Sequence, residues 1–401
     1  MKHIPVLKKE VLKYLIPEKG EISRLDKLMA RDDSGSDFVF VDCTLGAAGH
    51  AKVILKKLIT NYSLPITFLG IDADEKALKI AKENLKNIIF EKPGVQKNVM
   101  PAKAGIQDRI NFTFIRDNFK NYSGILQKTR ILSKKSVDAV LIDLGISSMQ
   151  IDSLDRGFSF KNPKALLDMR MDTSFAKASE GKFNFPMTAA DILNKYSESE
   201  LINVFKNSGE RFYKKIVGNI IEFRKGNSSR LAKSSLEQYN QSNYSSSEAK
   251  RNREVEILKQ VQDDKKHRSI NTVGDLILIL DKSIPERFKH GKTHFATNIF
   301  RALRMEVNSE LENIKIAIPE IIKSLKIGGR LAVITFHSTE DKLVKDIFNG
   351  YINPCQCPKN MPCICGKLPE LKKVAKFKPG NQEILINPRS RSAILRIVEK
   401  V

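Results

Sequence analysis

Three aspartates, Asp42, Asp72 and Asp143, each close a short apolar run of this chain. The runs Phe38–Val41, Ile66–Ile71 and Val137–Ile142 have the β-branched and aromatic character of buried parallel strands. Carboxylates at the ends of such strands sit where open α/β sheets bind their ligands, and one at the end of the second strand, Asp72, can accept both hydroxyls of a ribose. The alternative use of an acid there, capping the next helix, suits Asp72 or Asp74. After Asp42 comes Cys43-Thr44-Leu45-Gly46-Ala47-Ala48-Gly49-His50. Gly46 and Gly49 allow close backbone approach, and the N–H groups that open the following helix (Ala51 to Leu58) suit a negatively charged group.

A ribose-bearing cofactor therefore fits, either a nicotinamide dinucleotide or S-adenosylmethionine. Dinucleotide binding needs close approach to a pyrophosphate and a third glycine, whereas Ala47-Ala48 occupy that part of the turn. S-adenosylmethionine has no phosphate, tolerates both alanines, and can place its carboxylate against N–H groups around Ala48, Gly49 and His50.

The elements that must position these groups alternate between strand and helix. An amphipathic helix from Lys8 to Leu15, packing Val11, Leu12 and Leu15, precedes the first strand. A helix at Glu75–Leu85 follows the second strand, a third strand runs over Ile110–Ile115, and Val137–Asp143 is the fourth. Thr188–Asn194, Glu198–Phe205 and Arg211–Arg224 read as helices, the first capped by Thr188 or Asp191. Order returns at Thr272–Leu280, followed by one long helix from about Ala296 to Leu325. A fifth strand, Leu331–Phe336, follows the turn at Gly328-Gly329, and Ser392–Val398 closes the sheet. The fold class is α/β, a doubly wound, mostly parallel sheet with a smaller helical domain inserted. The expected division is 1–150 and 292–401 for the sheet domain, and 151–291 for the insert.

The chain has 401 residues, 41% of them hydrophobic, enough for a large core in two or three domains. A formal net charge of +23 points to a polyanionic partner whose phosphates Lys and Arg would neutralise. No apolar run reaches the roughly 18 residues that span a bilayer, and no signal-peptide core follows the N-terminus. A cytoplasmic protein with no membrane partner is expected. Residues 91–107, 173–182 and 225–268 lack apolar periodicity and read as insertions, the last a basic excursion.

Several segments resemble the bacterial 16S ribosomal RNA cytosine-N4 methyltransferase family. They are His3–Leu7, Asp42–His50, Asp143–Gln150, Arg156–Phe160, Leu167–Asp172, Leu303-Arg304, Val307–Leu311, Phe336–Asp341 and Asn387–Ser392. The resemblance implies that S-adenosylmethionine contacts Ala48, Gly49 and His50 in the turn, Asp72 at the ribose, Phe119 beside the adenine, and also Asp143 and Gln150. It further implies 16S ribosomal RNA as partner, within the small ribosomal subunit, with Arg156, Phe158, Arg170, Arg304, Arg389 and Arg391 on the RNA side. A homodimer is compatible with it. Ala48 stands where the family usually has glycine, and Asn298 and Arg301 replace its usual Arg and Gln.

An exocyclic cytosine amine is a poor nucleophile because its lone pair is delocalised into the ring. Methylating it calls for placement of the nitrogen in line with the methyl, and for an acceptor that holds an amine N–H. Asp143 is the first candidate for that acceptor, or for fixing the cofactor. Ser147 and Ser148 come second, and His337 could relay the released proton. Each has a plainer use: cofactor binding for Asp143, helix capping for the serines, and a structural hydrogen bond for His337. Phe158, Phe160 and Met169 suit either a pocket for a base drawn from its stack or a core.

Five cysteines do not form a disulfide framework. Cys355, Cys357, Cys363 and Cys365, in a Pro-rich loop at 354–366, are expected to be reduced thiols with no resident metal. A four-thiolate zinc site is the alternative, against which the C-x-C spacing is tighter than in zinc fingers and ribbons. The sequence thus points to an rRNA (cytosine-N4)-methyltransferase using S-adenosylmethionine. The rivals are a methyltransferase of DNA or protein, a non-catalytic RNA-binding assembly factor, and a nicotinamide dehydrogenase.

Overall fold

The computed structural model describes residues 4–16, 37–61, 65–90, 110–131, 137–145, 155–171, 187–226, 269–291, 294–358, 360 and 364–401. Ser147, Ser148, Gln150 and Cys363 lie outside these residues. So do the insertions expected at 91–107, 173–182 and, beyond Gly226, 225–268.

The chain divides into two compact units, 1–145 with 311–401, and 146–310. The first is built on seven strands: β1 (Phe38–Asp42), β2 (Ile66–Asp72), β3 (Ile110–Arg116), β4 (Val137–Asp143), β5 (Leu325–Thr335), β6 (Leu371–Phe377) and β7 (Ile394–Lys400). Their order is β3-β2-β1-β4-β5-β7-β6. β3, β2, β1, β4 and β5 pair in parallel, and β7 runs antiparallel to both β5 and β6. The chain leaves β1 toward β2 on one side and later returns to β4 on the other. The carboxyl end of β1 is thus the switch point, where an open α/β sheet holds its ligand.

Period-two alternation sends successive strand residues to opposite faces. Phe40, Phe68, Leu141 and Ile334 pack on one face with Val11 and Leu15 of helix Lys8–Leu15 and with Ile54, Leu55 and Leu58 of helix Gly49–Asn61. Val41, Ile71, Ile142 and Val333 pack on the other with Tyr122, Ile318, Ile321 and Phe348. Both faces are covered, which is why these strands read as continuous apolar runs rather than alternating ones.

The second unit has its own core of Leu201, Phe205, Ile216, Ile220, Leu276, Ile299 and Leu303, among others. Thr188 and Asp191 form a capping box on helix Ala189–Lys195, and Thr272 and Asp275 form another on helix Val273–Ser283. The stretch 292–310, assigned from sequence to the sheet domain, clusters with this unit because Ala296, Ile299, Phe300 and Leu303 are buried in its core.

The single long helix expected from Ala296 to Leu325 is two helices, Thr297–Val307 and Glu310–Ser324. Asn308 ends the first, and Ser309 adopts φ 50°, the left-handed conformation that terminates helices. Asn308 also fixes the loop 155–171. Its amide donates to the Met169 and Arg304 carbonyls (both 2.8 Å), and its Oδ1 accepts from Met171 N–H (2.7 Å). Asn308→Ala removes these partners from the Met169 carbonyl and Met171 N–H, while the Arg304 carbonyl keeps the main-chain N–H of residue 308 (3.1 Å), and is expected to destabilise the protein by about 1–3 kcal/mol, measured by denaturant titration. The Gly328-Gly329 turn is likewise absorbed into β5, where the pairing with β4 shifts register between Val137 and Ala139.

Candidate active site

Main-chain and side-chain bonds tie the turn after β1 to both neighbouring strands. Toward β2, Leu45 N–H donates to the Ile71 carbonyl (2.9 Å) and Gly46 N–H to Asp72 Oδ2 (2.7 Å). Toward β4, Cys43 N–H donates to the Leu141 carbonyl (2.9 Å) and Asp143 N–H to Thr44 Oγ1 (2.6 Å). Asp72 has a second main-chain donor in Asp74 N–H (2.8 Å) on Oδ1. The glycine turn is therefore held open by the same acid expected to meet the ribose, and each Asp72 oxygen retains one acceptor position.

Gly46 and Ala48 both have positive φ, 53° and 61°. Alanine pays about 1–2 kcal/mol for that conformation, while its buried methyl recovers about 0.8 kcal/mol of packing. Ala48→Gly is accordingly expected to change stability by less than about 1 kcal/mol. Ala48→Val adds β-branching to a left-handed backbone inside the core and should cost about 3 kcal/mol or more with loss of cofactor binding. Thermal unfolding and calorimetric titration read the two effects.

Three carboxyl groups crowd along this edge, Asp42 buried and Asp72 and Asp143 half-buried. Asp42 pairs in register with Gly70 and Leu141, so Asp72 and Asp143 lie two residues further along their own strands. Burial, reinforced by Asp143 and Asp72, pushes the Asp42 carboxyl up to about 8, although Thr44 N–H donates to it. Burial and the Glu340 carboxylate push Asp143 up to about 7, and burial pushes Asp72 up to about 6. Asp143 Oδ1 is buried without a hydrogen-bond partner among the described residues. Carboxyls crowded in this way are relieved by a nearby positive charge.

His50 is buried on the first turn of helix Gly49–Asn61, where its Nε2 donates to the Val6 carbonyl (2.8 Å). Its Nδ1 stands 3.5 Å from Asp143 Oδ2. Burial lowers its pKa to about 4, so the ring is neutral at ordinary pH; with Nε2–H on Val6, its Nδ1 is an acceptor that takes a hydrogen bond from Asp143 only while that carboxyl is protonated. Phe119 opens a 3₁₀ turn after β3 and packs, half-buried, on the second core face. That segment is tied to the Asp72 carbonyl by Asp117 N–H (3.2 Å). Ala48, Gly49, His50, Asp72, Phe119 and Asp143 thus belong to one edge of the sheet. They fit a ribose-bearing cofactor with a positive sulfur: acceptors remain on Asp72, an unpartnered carboxylate oxygen on Asp143, and N–H groups at a helix start.

His337 caps helix Ser338–Ile352: Glu340 N–H donates to its Nδ1 (3.3 Å). Its Nε2 lies 2.9 Å from Glu340 Oε1, outside hydrogen-bonding geometry. The ring is buried against its own helix, which is the structural use and gives the relay role no support. Glu340 is 1% exposed, accepts from Phe336 N–H (3.0 Å) and acts electrostatically on Asp143. Sequence reading included Glu340 in a family-like segment but gave it no role, and it also gave none to Thr44. Only the fold brings either to Asp143.

In the second unit, the residues expected at RNA are largely engaged within the protein. Arg304 makes a bidentate pair with Glu310 (both 2.8 Å). Arg170 pairs with Asp168 (2.6 Å), and the Arg156 guanidinium donates to the Arg170 carbonyl and lies 5.5 Å from the Phe158 ring centre. Phe160 stacks on His294 at 4.1 Å, and Met169 is fully buried, so Met169 is core rather than pocket. Arg301 donates to the Ser208 carbonyl (2.7 Å) and to Asn298 Oδ1 (3.0 Å). In the first unit, Arg389 and Arg391 are exposed on the 3₁₀ turn Pro388–Ser392.

The profile of the MraW methylase family matches residues 1–252 and 230–401. The ribosomal RNA small subunit methyltransferase H of Clostridium botulinum (strain Loch Maree / Type A3) is 35% identical over 404 aligned positions, covering 100% of this chain and 99% of the relative. Its namesake in Finegoldia magna is 34% identical over 405, with the same coverage. A solved rRNA methylase from Streptococcus thermophilus is 11% identical, covers 96% of this chain and 98% of its own, and has a TM-score of 0.31, too low to add to the sequence match. With a family profile spanning its length and full-length relatives at this identity, the chain belongs to the MraW methylase family.

Proposed function

We infer that this protein transfers a methyl group from S-adenosylmethionine to small-subunit ribosomal RNA, and that the acceptor is the exocyclic N4 amine of a cytosine. The observation that carries the reading is the switch-point edge of a methylase-family sheet. There Asp72 holds the glycine turn, and Asp143 keeps a buried carboxylate oxygen without a partner among the described residues. The cofactor supplies an electrophilic methyl on a positively charged sulfur. Ala48, Gly49 and the opening N–H groups of the helix hold its carboxylate, Asp72 its ribose hydroxyls, and Phe119 one face of its adenine. Asp143 accepts an amine N–H of the cytosine, which turns the nitrogen lone pair outward and stabilises charge developing on it. The net charge of +23 supports a polyanionic substrate, and Arg389 and Arg391 add positive charge to the exposed surface. The substrate is RNA within an assembled or nearly assembled small subunit, in the cytoplasm; among the described residues no helix is long and apolar enough to cross a membrane.

The test uses small subunits from a strain lacking the gene, purified protein and isotope-labelled donor, with nucleosides identified by mass spectrometry. Label in N4-methylcytidine is expected. Label on a ring carbon, a ribose oxygen, DNA or protein would replace the acceptor assignment. Calorimetry showing no donor binding would leave only an RNA-binding protein.

A further inference from the structure

We propose that Cys355, Cys357 and Cys365 bind a zinc ion that closes the loop between helix Ser338–Ile352 and β6. The three sulfurs all lie within 4.8 Å of one another. A tetrahedral zinc–thiolate centre, with bonds of about 2.3 Å, holds its sulfurs about 3.8 Å apart, so small side-chain rotations bring these three to three of its four corners, the fourth being left to a further ligand. The C-x-C spacing, tight by the standard of fingers and ribbons, is no obstacle once Cys365 folds back onto the same point.

Ordinary packing does not account for that convergence. No described residue from 353 to 369 is buried, and the two large aliphatic side chains of the loop, Ile364 and Leu368, are 91% and 80% exposed. The loop's base is closed by Glu370 N–H donating to the Tyr351 carbonyl (2.9 Å). Beyond that bond the described residues of the loop form no apolar core, and Pro354 and Pro358 restrict its backbone. Segments that cannot bury enough surface to order themselves are commonly closed by cross-links or metals. A disulfide joins only two of three mutually close sulfurs, whereas a soft divalent ion uses all three. The zinc would be structural: it replaces thiol protons, and its binding energy goes into ordering the loop.

The experiment uses the full chain, purified under reducing conditions without chelator, reconstituted with zinc, and analysed by mass spectrometry for metal and for alkylation. About one tightly held zinc per chain is expected, with Cys355, Cys357 and Cys365 protected from iodoacetamide until a chelator is added. Exchange with cobalt should give the thiolate-to-metal charge-transfer bands of a tetrahedral site. Cys355→Ser combined with Cys365→Ser should lower retained metal at least tenfold. Wild-type protein that holds no zinc after reconstitution, alkylates at the same rate with and without chelator, or carries a disulfide among these cysteines would overturn the proposal. So would metal retained by the double variant. The alkylation and cobalt measurements need only wild-type protein, so a poorly folding variant does not weaken the test.

Discussion

Asp143→Asn is expected to lower the methyl-transfer rate by about 10²–10⁴-fold while leaving the protein folded. The side chain sits at the end of β4 with its main-chain N–H on Thr44 Oγ1, so its placement does not depend on the carboxylate. The carboxylate is half-buried with its Oδ1 out of solvent, stands 3.5 Å from a neutral His50, and shares its surroundings with Glu340. Asparagine keeps the shape, removes the charge and turns one acceptor into a donor, which a cytosine amine cannot use. A residue that served only stability would give the opposite signature. Deleting one of several crowded buried carboxyls should leave the cofactor-free protein no less stable above pH 7, because less charge has to be kept out of water. Single-turnover rates at saturating donor separate two roles. A fall in rate with unchanged donor affinity assigns Asp143 to the amine, and a weaker donor constant with an unchanged rate assigns it to the cofactor. At donor concentrations far below saturation, where the free enzyme's ionisation governs, the wild-type rate should also rise with pH through about 7 as Asp143 ionises, and the variant should lose that rise.

How much of this edge could be read beforehand follows from where each signal resides. β2 and β4 were legible to the residue, because strands buried on both faces are almost continuously apolar, Thr67 and Asp138 aside, and their closing aspartates mark the ends. β6 was not, and the sequence reading assigns no element there: Leu371-Lys372-Lys373-Val374-Ala375-Lys376-Phe377 is an edge strand, and the lysines that discourage unwanted pairing dilute its apolar signal. The break at Asn308-Ser309 escaped because neither residue is glycine or proline, and apolar periodicity runs on across it. Among site residues, the identity of Asp72 was plain but not its hold on Gly46, which spans two strands and exists only after folding. Arg304 looked available for phosphate because its partner Glu310 lies beyond the helix end, at a distance helical pairing does not anticipate. For Asp72 and Arg304 the deciding contact crosses elements, and no local pattern carries it.

S-adenosylmethionine should bind more tightly as pH rises from 6.5 to 8, by up to about tenfold per pH unit for each carboxyl that ionises, whereas its product with a neutral sulfur should respond far less. In the folded chain Asp72, Asp143 and Asp42 keep their protons to about 6, 7 and 8, against 3.8 as the ordinary value. Between about pH 4 and those values the folded protein therefore binds more protons than the unfolded one, and raising the pH destabilises it. His50 works the other way. Its proton is lost near 4 when folded and near 6.5 when unfolded, so it adds stability as pH rises between those values and nothing further above them. Above 6.5 the acids Asp143 and Asp42 are left without that opposition, and the cofactor-free protein should lose stability up to about pH 8. A sulfonium beside these groups favours their ionised forms, so donor binding expels protons in the same window. Donor and product share the adenosine and amino-acid parts, and the ratio of their dissociation constants isolates the charge on sulfur. That ratio, measured by calorimetry at pH 6.5, 7.2 and 8, is expected to move several-fold in favour of the donor. A ratio that stays constant would mean the sulfur lies away from the three aspartates, and the catalytic role assigned to Asp143 would fall with it.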